Sequence, residues 1–444
     1  MSIADTISAF VQKTTLEDIP SNTIEFTKQL ALKTMAGMVA GSATDSGRRM
    51  AAYTREVQGA VEAGVIGCGF RTSVEYAVLA NGHFAHAAEL EDDQFPSATS
   101  DITVFPVIFP LAEKLNLSGR KVVEASAIAL EVMNRVGMFT LTSKGITDLP
   151  FYGVIGAAVV AAKALDLDAK AIRSAIGIAI GRASGFIANF GTDAHYLESA
   201  IACRDGYLAA VLAQKGMTGT ANIEGWLTSL HGRIDLPMAD IVKDLGKPRW
   251  HVHNIWVKKY PCCFLTHRQI DMLMVMKKEH GLNHENVESI ELDVGPIDAT
   301  CDRPSPVDVE DSRFSFQHIL AGVLIDGDVN YGTFTEQKIN DPLYKKVREK
   351  IKVNVHRNWP AEFNSGTARV VVTLKGGQQV VDSAEQPLGG PDCPLSREKF
   401  IELYEKYTHN YLGGQRIKET AEFILNLEKE TDVRKLMSMV TNIR

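Results

Sequence analysis

The hydrophobic pattern of the chain changes from helical to strand-like near residue 260, and this change limits the folds that it can adopt. Over residues 3–260 the apolar residues recur at helical spacing. A predicted helix over 267–278 is followed by segments that alternate with period two, such as Val287–Val294. The length of 444 residues exceeds one ordinary hydrophobic core. The sequence therefore predicts two domains of different class.

The first region predicts a compact bundle of buried helices. Small residues are frequent in it, as in the segment 156–162, and they allow helix axes to approach closely. None of its glycine-rich segments follows a predicted strand or has a phosphate-binding form. The predicted helices cover 24–33, 74–86, 106–115, 121–136, 153–165, 169–181 and 199–215.

The second region predicts an α+β domain. Further strands are expected at 351–355, 368–374 and 379–381, with a hairpin turn at Gly376-Gly377 and helices over 314–325 and 341–350. From Ser396 onward the pattern is helical again, with a second helix starting near Gly414. We expect this end to pack on the bundle. The predicted fold is mainly α: a large all-helical bundle domain (1–264 plus 394–444) with a smaller α+β lid domain (265–393).

Charge and cysteine content exclude several classes of protein. The formal net charge of -7 argues against a nucleic-acid binder, which usually has a basic domain. Six cysteines in 444 residues do not suggest a disulfide framework. The N-terminus lacks the basic and apolar regions of a secretory signal, and no apolar run reaches the ~18 residues needed to span a bilayer. We expect a cytoplasmic protein with no nucleic-acid or membrane partner.

The segment from Lys258 to Arg268 concentrates possible cations, a phenol and two thiols at the predicted domain junction. Ligand sites favour such junctions, and this composition suits a small anion. Lys258 and His267 are candidates for catalysis, and Tyr260, Cys263 and Arg268 for substrate binding. The two thiols are interpreted as packing groups rather than nucleophiles, because the sequence establishes no partnering base.

A second cluster, Glu89–Asp93, places four carboxylates in five residues at the end of a predicted helix. Their mutual repulsion raises at least one carboxyl pKa, which suits a general acid or base. A solvated helix end is the plain structural alternative, although negative charge there opposes the helix dipole and needs compensation. Asp92 and Asp93 are candidates for catalysis, and Glu91 for substrate binding.

No metal site is predicted from these patterns. A magnesium-diphosphate site at Asp92-Asp93 would need a third Asp at helical spacing, where Pro96 and Ser97 stand. His251 and His253 have no further ligands clustered nearby in the sequence.

Four motifs together carry a family resemblance. Residues 81–93 resemble the Asn-Gly…His…Asp-Asp signature of the MmgE/PrpD family, and residues 258–267 its Lys-x-Tyr-Pro-x-Cys…His motif; 153–158 and 313–317 also match. The family includes 2-methylcitrate dehydratase, cis-aconitate decarboxylase and iminodisuccinate epimerase. The resemblance spans nearly the whole chain. It implies a helical domain with an α+β lid, usually as a homodimer, a site in the cleft between the domains, and no cofactor.

The chain departs from the family pattern at several charged positions. Family histidines are replaced by Thr99, Thr147 and Glu198, and a Lys-Arg pair is replaced by His195-Tyr196. Such a site loses positive groups and gains a carboxylate. Removing one paired charge from a buried site costs on the order of a few kcal/mol, so we expect a substrate less anionic than methylcitrate.

The family reactions share the breaking of a bond next to a carboxylate through an enolate-like state, which needs a base and an electrophilic side. Lys258 and His267 are assigned to the electrophilic side, while Tyr260 or Tyr152 could donate a proton and Thr99 is a binding candidate. The base is left open among Asp92, Asp93 and His195. We predict a cofactor-independent lyase of the dehydratase or decarboxylase type acting on a small carboxylic acid. An epimerase or isomerase of a small dicarboxylate and a non-catalytic binding relative are the alternatives.

Overall fold

The computed structural model describes residues 2–57, 59–360 and 367–443. The chain divides into two compact units, Met1–Trp256 with Ser396–Arg444, and Val257–Leu395. The first boundary lies before the predicted one at residue 264. The segment that starts at Lys258 consequently belongs to the second unit and not to the helical one.

The first unit is built mainly from helices, joined by short strands. Its elements are α1 (Ile3–Lys13), α2 (Ser21–Gly41), α3 (Asp45–Val57), β1 (Ala63–Val65), β2 (Phe70–Thr72), α4 (Val74–Ala87), β3 (Asp93–Gln94), β4 (Thr99–Ser100), α5 (Phe105–Leu115), α6 (Gly119–Val136), α7 (Asp148–Ala164), α8 (Ala169–Ala179), α9 (Asp193–Gln214), α10 (Ile223–His231) and β5 (Ile255–Trp256).

The second unit combines helices with a four-stranded sheet. Its elements are α11 (His267–His280), β6 (Val287–Val294), α12 (Val309–Ser312), α13 (Phe316–Asp326), α14 (Glu336–Asn340), α15 (Pro342–Arg348), β7 (Ile351–Val355), β8 (Ala368–Leu374) and β9 (Gln379–Ala384). The chain then returns to the first unit as α16 (Arg397–Thr408), α17 (Gly414–Leu425) and α18 (Arg434–Thr441).

Helix α7 forms the centre of the first unit, and all of its residues are buried. It packs against α5, α6, α8 and α9. Glycines make the closest approaches possible: a Cβ atom on Gly206 of α9 would lie 2.4 Å from Ala157 Cβ and 2.6 Å from the Val154 carbonyl oxygen. The Ala- and Gly-rich pattern predicts this close helix packing, because only a hydrogen atom fits between Gly206 and α7.

The sheet of the second unit has the strand order β7-β6-β8-β9. Strand β6 is parallel to β7 and antiparallel to β8, with Ile290 opposite both Ile351 and Val372. The apolar faces of α11 and α13 share one core with the sheet. Leu273 and Leu320, from these two helices, are both fully buried in it.

The mainly α class is confirmed, and the strands β6, β7 and β8 have the predicted bounds. Helices α1, α3 and α10 are not among the predicted helices, and α2 is longer than its predicted range of 24–33. Two further features of the first unit also differ from the expectation. Helix α9 starts at Asp193, six residues before the predicted start at 199, because Asp193 to Glu198 carry no apolar periodicity. Strands β1 to β5 lie in the half expected to be helical, and at two or three residues each they are too short to show alternation. No helix in the described part of the chain is long and apolar enough to cross a membrane.

We expect Gly206→Ala to destabilise the protein by roughly 1–3 kcal/mol, since the added methyl group forces α7 and α9 apart. The measurement is the urea midpoint followed by circular dichroism. The matched control is Gly181→Ala, because a Cβ atom there meets nothing within 4 Å. Equal midpoints for the two variants would contradict the close contact.

Candidate functional site

The carboxylates of residues 89–93 are buried, not solvated. Helix α4 ends at Ala87, and the chain turns at Glu89 with a left-handed φ of 53° before Asp93 enters strand β3. The side chains of Glu89, Glu91, Asp92 and Asp93 are at most 5% exposed. The plain alternative of a solvated helix end is therefore wrong. Burying this much negative charge needs compensation from elsewhere in the unit.

Lys33, in the middle of α2, supplies part of that compensation. Its Nζ atom lies 3.0 Å from Asp92 Oδ1 and donates to the Leu90 carbonyl oxygen at 2.6 Å. Both side chains of this ion pair are almost completely buried. The ammonium therefore fixes the backbone of the acidic turn as well as one of its carboxylates.

Asp101 completes this buried cluster. Its Oδ1 accepts from the Asp92 backbone N–H at 3.2 Å, and its Oδ2 accepts from the Thr34 hydroxyl at 2.7 Å. Burial, together with the nearby Asp92 carboxylate, holds the pKa of Asp101 well above its usual range. Burial thereby opposes a second full negative charge beside the Lys33–Asp92 pair.

Two imidazoles meet beside the acidic turn. His86 lies in the last turn of α4 and His195 in the first turn of α9, with ring centroids 4.3 Å apart. The helices approach closely because Gly82 faces Ala200 and Cys203; a Cβ atom on Gly82 would lie 3.2 Å from Ala200 Cα.

The ring nitrogens of these histidines have different surroundings. His86 Nδ1 hydrogen-bonds Ser199 Oγ at 2.7 Å. His195 Nδ1 is buried, has no hydrogen-bond partner among the described residues, and lies 3.9 Å from Glu198 Oε2. Glu198 Oε1 accepts from the Phe186 backbone and the Asn189 amide. His195 therefore has a ring nitrogen that no hydrogen bond within the described structure engages.

Two of the predicted binding residues, Thr99 and Tyr152, lie together near Gly137. A Cβ atom on Gly137 would meet Thr99 Cγ2 and Tyr152 Cδ2 at 2.4 and 3.3 Å. Thr99 donates to Asn134 Oδ1 at 2.9 Å, and Tyr152 donates to the Phe139 carbonyl oxygen at 2.6 Å. Burial raises the pKa of Tyr152, so its hydroxyl keeps its proton.

The second unit holds the predicted residues from Lys258 onward. Lys258 is buried, and His267, at the start of α11, is packed between the rings of Tyr260 and Phe264 at 5.1 and 4.9 Å. The Tyr260 hydroxyl donates to Asp271 at 3.0 Å, and Lys259 pairs with the same carboxylate at 2.5 Å. Asp271 thus holds both Lys259 and Tyr260 in place beside His267.

Arg268 and Cys263 have partners inside the second unit. Arg268 forms an ion pair with Asp298 at 2.7 Å, and both side chains are only 1% exposed. The Cys263 backbone N–H donates to the Arg313 carbonyl oxygen at 3.0 Å. A substrate role for either residue stays a prediction, and the ion pair gives Arg268 a structural task as well.

The structure adds residues to the first-unit site that the motifs did not indicate. Lys33 and Asp101 bind the acidic turn from two other elements. The available signal was a lone lysine in the apolar run 30–36, since a buried cation needs a partner. His86, Glu89 and His195 offer ligand atoms that all lie within 4.8 Å of one another. His251 and His253, considered above, are not part of this group.

Models of one protein family match both parts of the chain. The MmgE/PrpD N-terminal domain matches residues 5–225, and the MmgE/PrpD C-terminal domain matches residues 260–429. The chain therefore belongs to the MmgE/PrpD family.

Similar curated relatives carry an enzyme name. Cis-aconitate decarboxylase of Homo sapiens is 24% identical over 458 residues, covering 99% of this chain and 94% of that protein. The protein of the same name from Aspergillus terreus is 25% identical, with 96% and 93% covered. At the level of the family, these relatives indicate an enzyme of the decarboxylase or dehydratase type.

Lys33→Met leaves the Asp92 carboxylate buried without its ammonium, so we expect a loss of about 3–5 kcal/mol in the free energy of unfolding. Adding Asp92→Asn should recover part of this loss, because the isolated charge is then removed. Urea unfolding measures both effects.

The control for this prediction is Lys399→Met, which breaks an exposed pair with Glu402. We expect less than about 1 kcal/mol there. A Lys33→Met protein as stable as the control variant would show that the buried pair contributes nothing.

Proposed function

We propose that the protein is a lyase that acts on a small carboxylic acid by proton transfer at a carbon next to a carboxylate, and that His195 is the proton-transfer group. The observation that carries the proposal is the buried His195 Nδ1, which has no hydrogen-bond partner among the described residues. His195 takes the place of a family cation, in a chain whose relatives are named decarboxylases. No cofactor is needed for this chemistry.

The surroundings of the three candidate bases support His195 over the carboxylates. Asp92 is held by Lys33 at 3.0 Å, so its charge already serves to fix the acidic turn. Asp93 lies in β3, opposite Ser100 and Trp256, and its carboxylate is the second candidate for the base. The imidazole of His195 is held by ring contacts with His86 and Phe190, which orient it without using Nδ1.

In the proposed reaction the imidazole nitrogen takes the proton from the carbon next to the carboxylate. The electron pair of the broken C–H bond moves into the carboxylate, giving an enolate-like state. In dehydration, the pair then returns to expel a β-hydroxyl group, which leaves as water with a proton from the enzyme. Decarboxylation starts instead from proton donation: the imidazolium N–H protonates one alkene carbon with the π electron pair, the C–C bond to the carboxylate breaks to release carbon dioxide, and its electron pair forms a new C=C bond.

The substrate is proposed to be less anionic than a tricarboxylate. Thr99, Thr147 and Glu198 stand where the resemblance expects histidines. Glu198 is largely buried and adds a carboxylate 3.9 Å from His195. Each of these replacements disfavours a further substrate carboxylate. Tight binding of methylcitrate would contradict this part of the proposal.

The second unit is proposed to act as a lid that supplies Lys258 and His267 to the electrophilic side. Both side chains are buried in their unit, where Tyr260 and Phe264 fix the His267 ring. The cleft position of the site, the homodimer and the cytoplasmic location stay predictions from the resemblance and from the composition.

The test follows the purified protein by NMR in heavy water with a panel of small mono-, di- and tricarboxylates and their unsaturated analogues. We expect deuterium to enter next to a carboxylate, with loss of water or carbon dioxide. His195→Asn should slow the reaction by about 10²–10⁴-fold, the usual contribution of a general acid–base group. His409→Asn, at an exposed position, is the matched control and should leave the rate unchanged.

The other outcomes separate the alternatives. Deuterium exchange with inversion at carbon and no lost group would favour an epimerase. Full activity in His195→Asn, with loss in Asp93→Asn, would transfer the role of the base to Asp93. No turnover across the panel would favour a binding protein.

A further inference from the structure

Three side chains of the types that bind transition metals converge in the first unit. His86 comes from α4, Glu89 from the turn after it and His195 from α9, and all three are buried. One ligand atom from each lies within 4.8 Å of the other two. Because two helices and a turn supply them, the group is fixed by the packing of α4 on α9.

We propose that His86, Glu89 and His195 form a binding site for a divalent metal ion of the zinc class. Two imidazoles and one carboxylate are a common protein ligand set for Zn²⁺, with a fourth position left to water or a small ligand. Hard ions such as Mg²⁺ and Ca²⁺ prefer sites of oxygen alone, so the two nitrogens select against them.

The distances allow such a site after a small adjustment. Bonds of about 2.0–2.2 Å to a tetrahedral ion place its ligand atoms roughly 3.4 Å apart. The three atoms here lie within 4.8 Å of one another, so no pair has to close by more than about 1.4 Å. Rotation of the imidazole and carboxylate groups about their side-chain bonds provides movements of this size.

Helix α9 also provides the outer partners that orient metal-bound histidines. A histidine ligand usually donates its second ring N–H to an oxygen atom. His86 Nδ1 lies 2.7 Å from Ser199 Oγ, an outer contact of this kind. His195 Nδ1 lies 3.9 Å from Glu198 Oε2, and that oxygen has no hydrogen-bond partner among the described residues.

Metal binding at His195 would affect the proposed reaction. Only this effect rests on the proposed function. A metal-bound imidazole has no lone pair with which to accept a proton. Zn²⁺ and proton transfer at His195 therefore exclude each other, and the metal-free protein is the active form. Metal binding itself does not depend on the reaction.

The experiment measures metal binding directly on the full chain. The protein is freed of metal with a chelator and titrated with Zn²⁺ by calorimetry, and with Co²⁺ by visible absorption. We expect one ion per chain. His195→Asn and Glu89→Gln should each weaken binding by at least about 100-fold, and Ser199→Ala by about 10–100-fold, the range for outer-partner losses.

The matched control is His83→Gln, on the same helix one turn before His86. His83 bonds Ser46 at 2.8 Å and is outside the three-residue group, so affinity should be unchanged. Circular dichroism checks that each variant is folded. Absence of binding in the wild-type protein, or equal affinity in His195→Asn, Glu89→Gln and the control, would overturn the site. Failure of the proposed function would instead appear as absent turnover with metal binding intact.

Discussion

Four carboxylates within five residues cannot be buried without compensating positive charge or hydrogen bonds, and the Lys33 ammonium supplies part of that compensation in the acidic turn. Lys33 reaches this turn from α2 and bonds both Asp92 and the Leu90 backbone. Asp101 joins the cluster through hydrogen bonds from the Asp92 backbone and the Thr34 hydroxyl, and burial beside Asp92 raises the pKa of its carboxyl group. The turn that carries Glu89 and Asp93 is therefore held in one conformation by charge and by hydrogen bonds together.

Close packing between helices is the second constraint on the site, and it determines where the imidazoles of His86 and His195 lie. Gly206 lets α9 approach α7, while Gly82 lets α4 approach α9. His86 and His195 meet at the end of that second contact, beside Glu89. Gly82, one turn before His86, thus allows the close approach of two groups that can move a proton or hold an ion. In the second unit, Asp271 similarly binds both Lys259 and Tyr260 and holds the segment of His267.

Much of the fold could be predicted from the sequence because periodicity is a local property. The strands β6, β7 and β8 follow from alternation, and the bundle follows from Ala- and Gly-rich helical patterns. The site could be predicted only in part. Motifs indicated Asp92 and His195, but the pairing of Lys33 with Asp92 joins residues far apart in the chain. The sequence left the burial of the acidic turn open, since four charges in five residues are typical of solvent exposure.

The most direct test of the account is a crystal structure of the protein with a small dicarboxylate that is bound but not turned over. The account predicts that the carbon next to a carboxylate lies within about 3.5 Å of a His195 ring nitrogen, the reach needed for proton transfer. The contrary result is a ligand bound only elsewhere, such as in the hollow of the second unit lined by Lys346, Lys350, Lys352 and Lys375. That result would show that carboxylates do not bind at His195, and the proposed reaction would lose its basis.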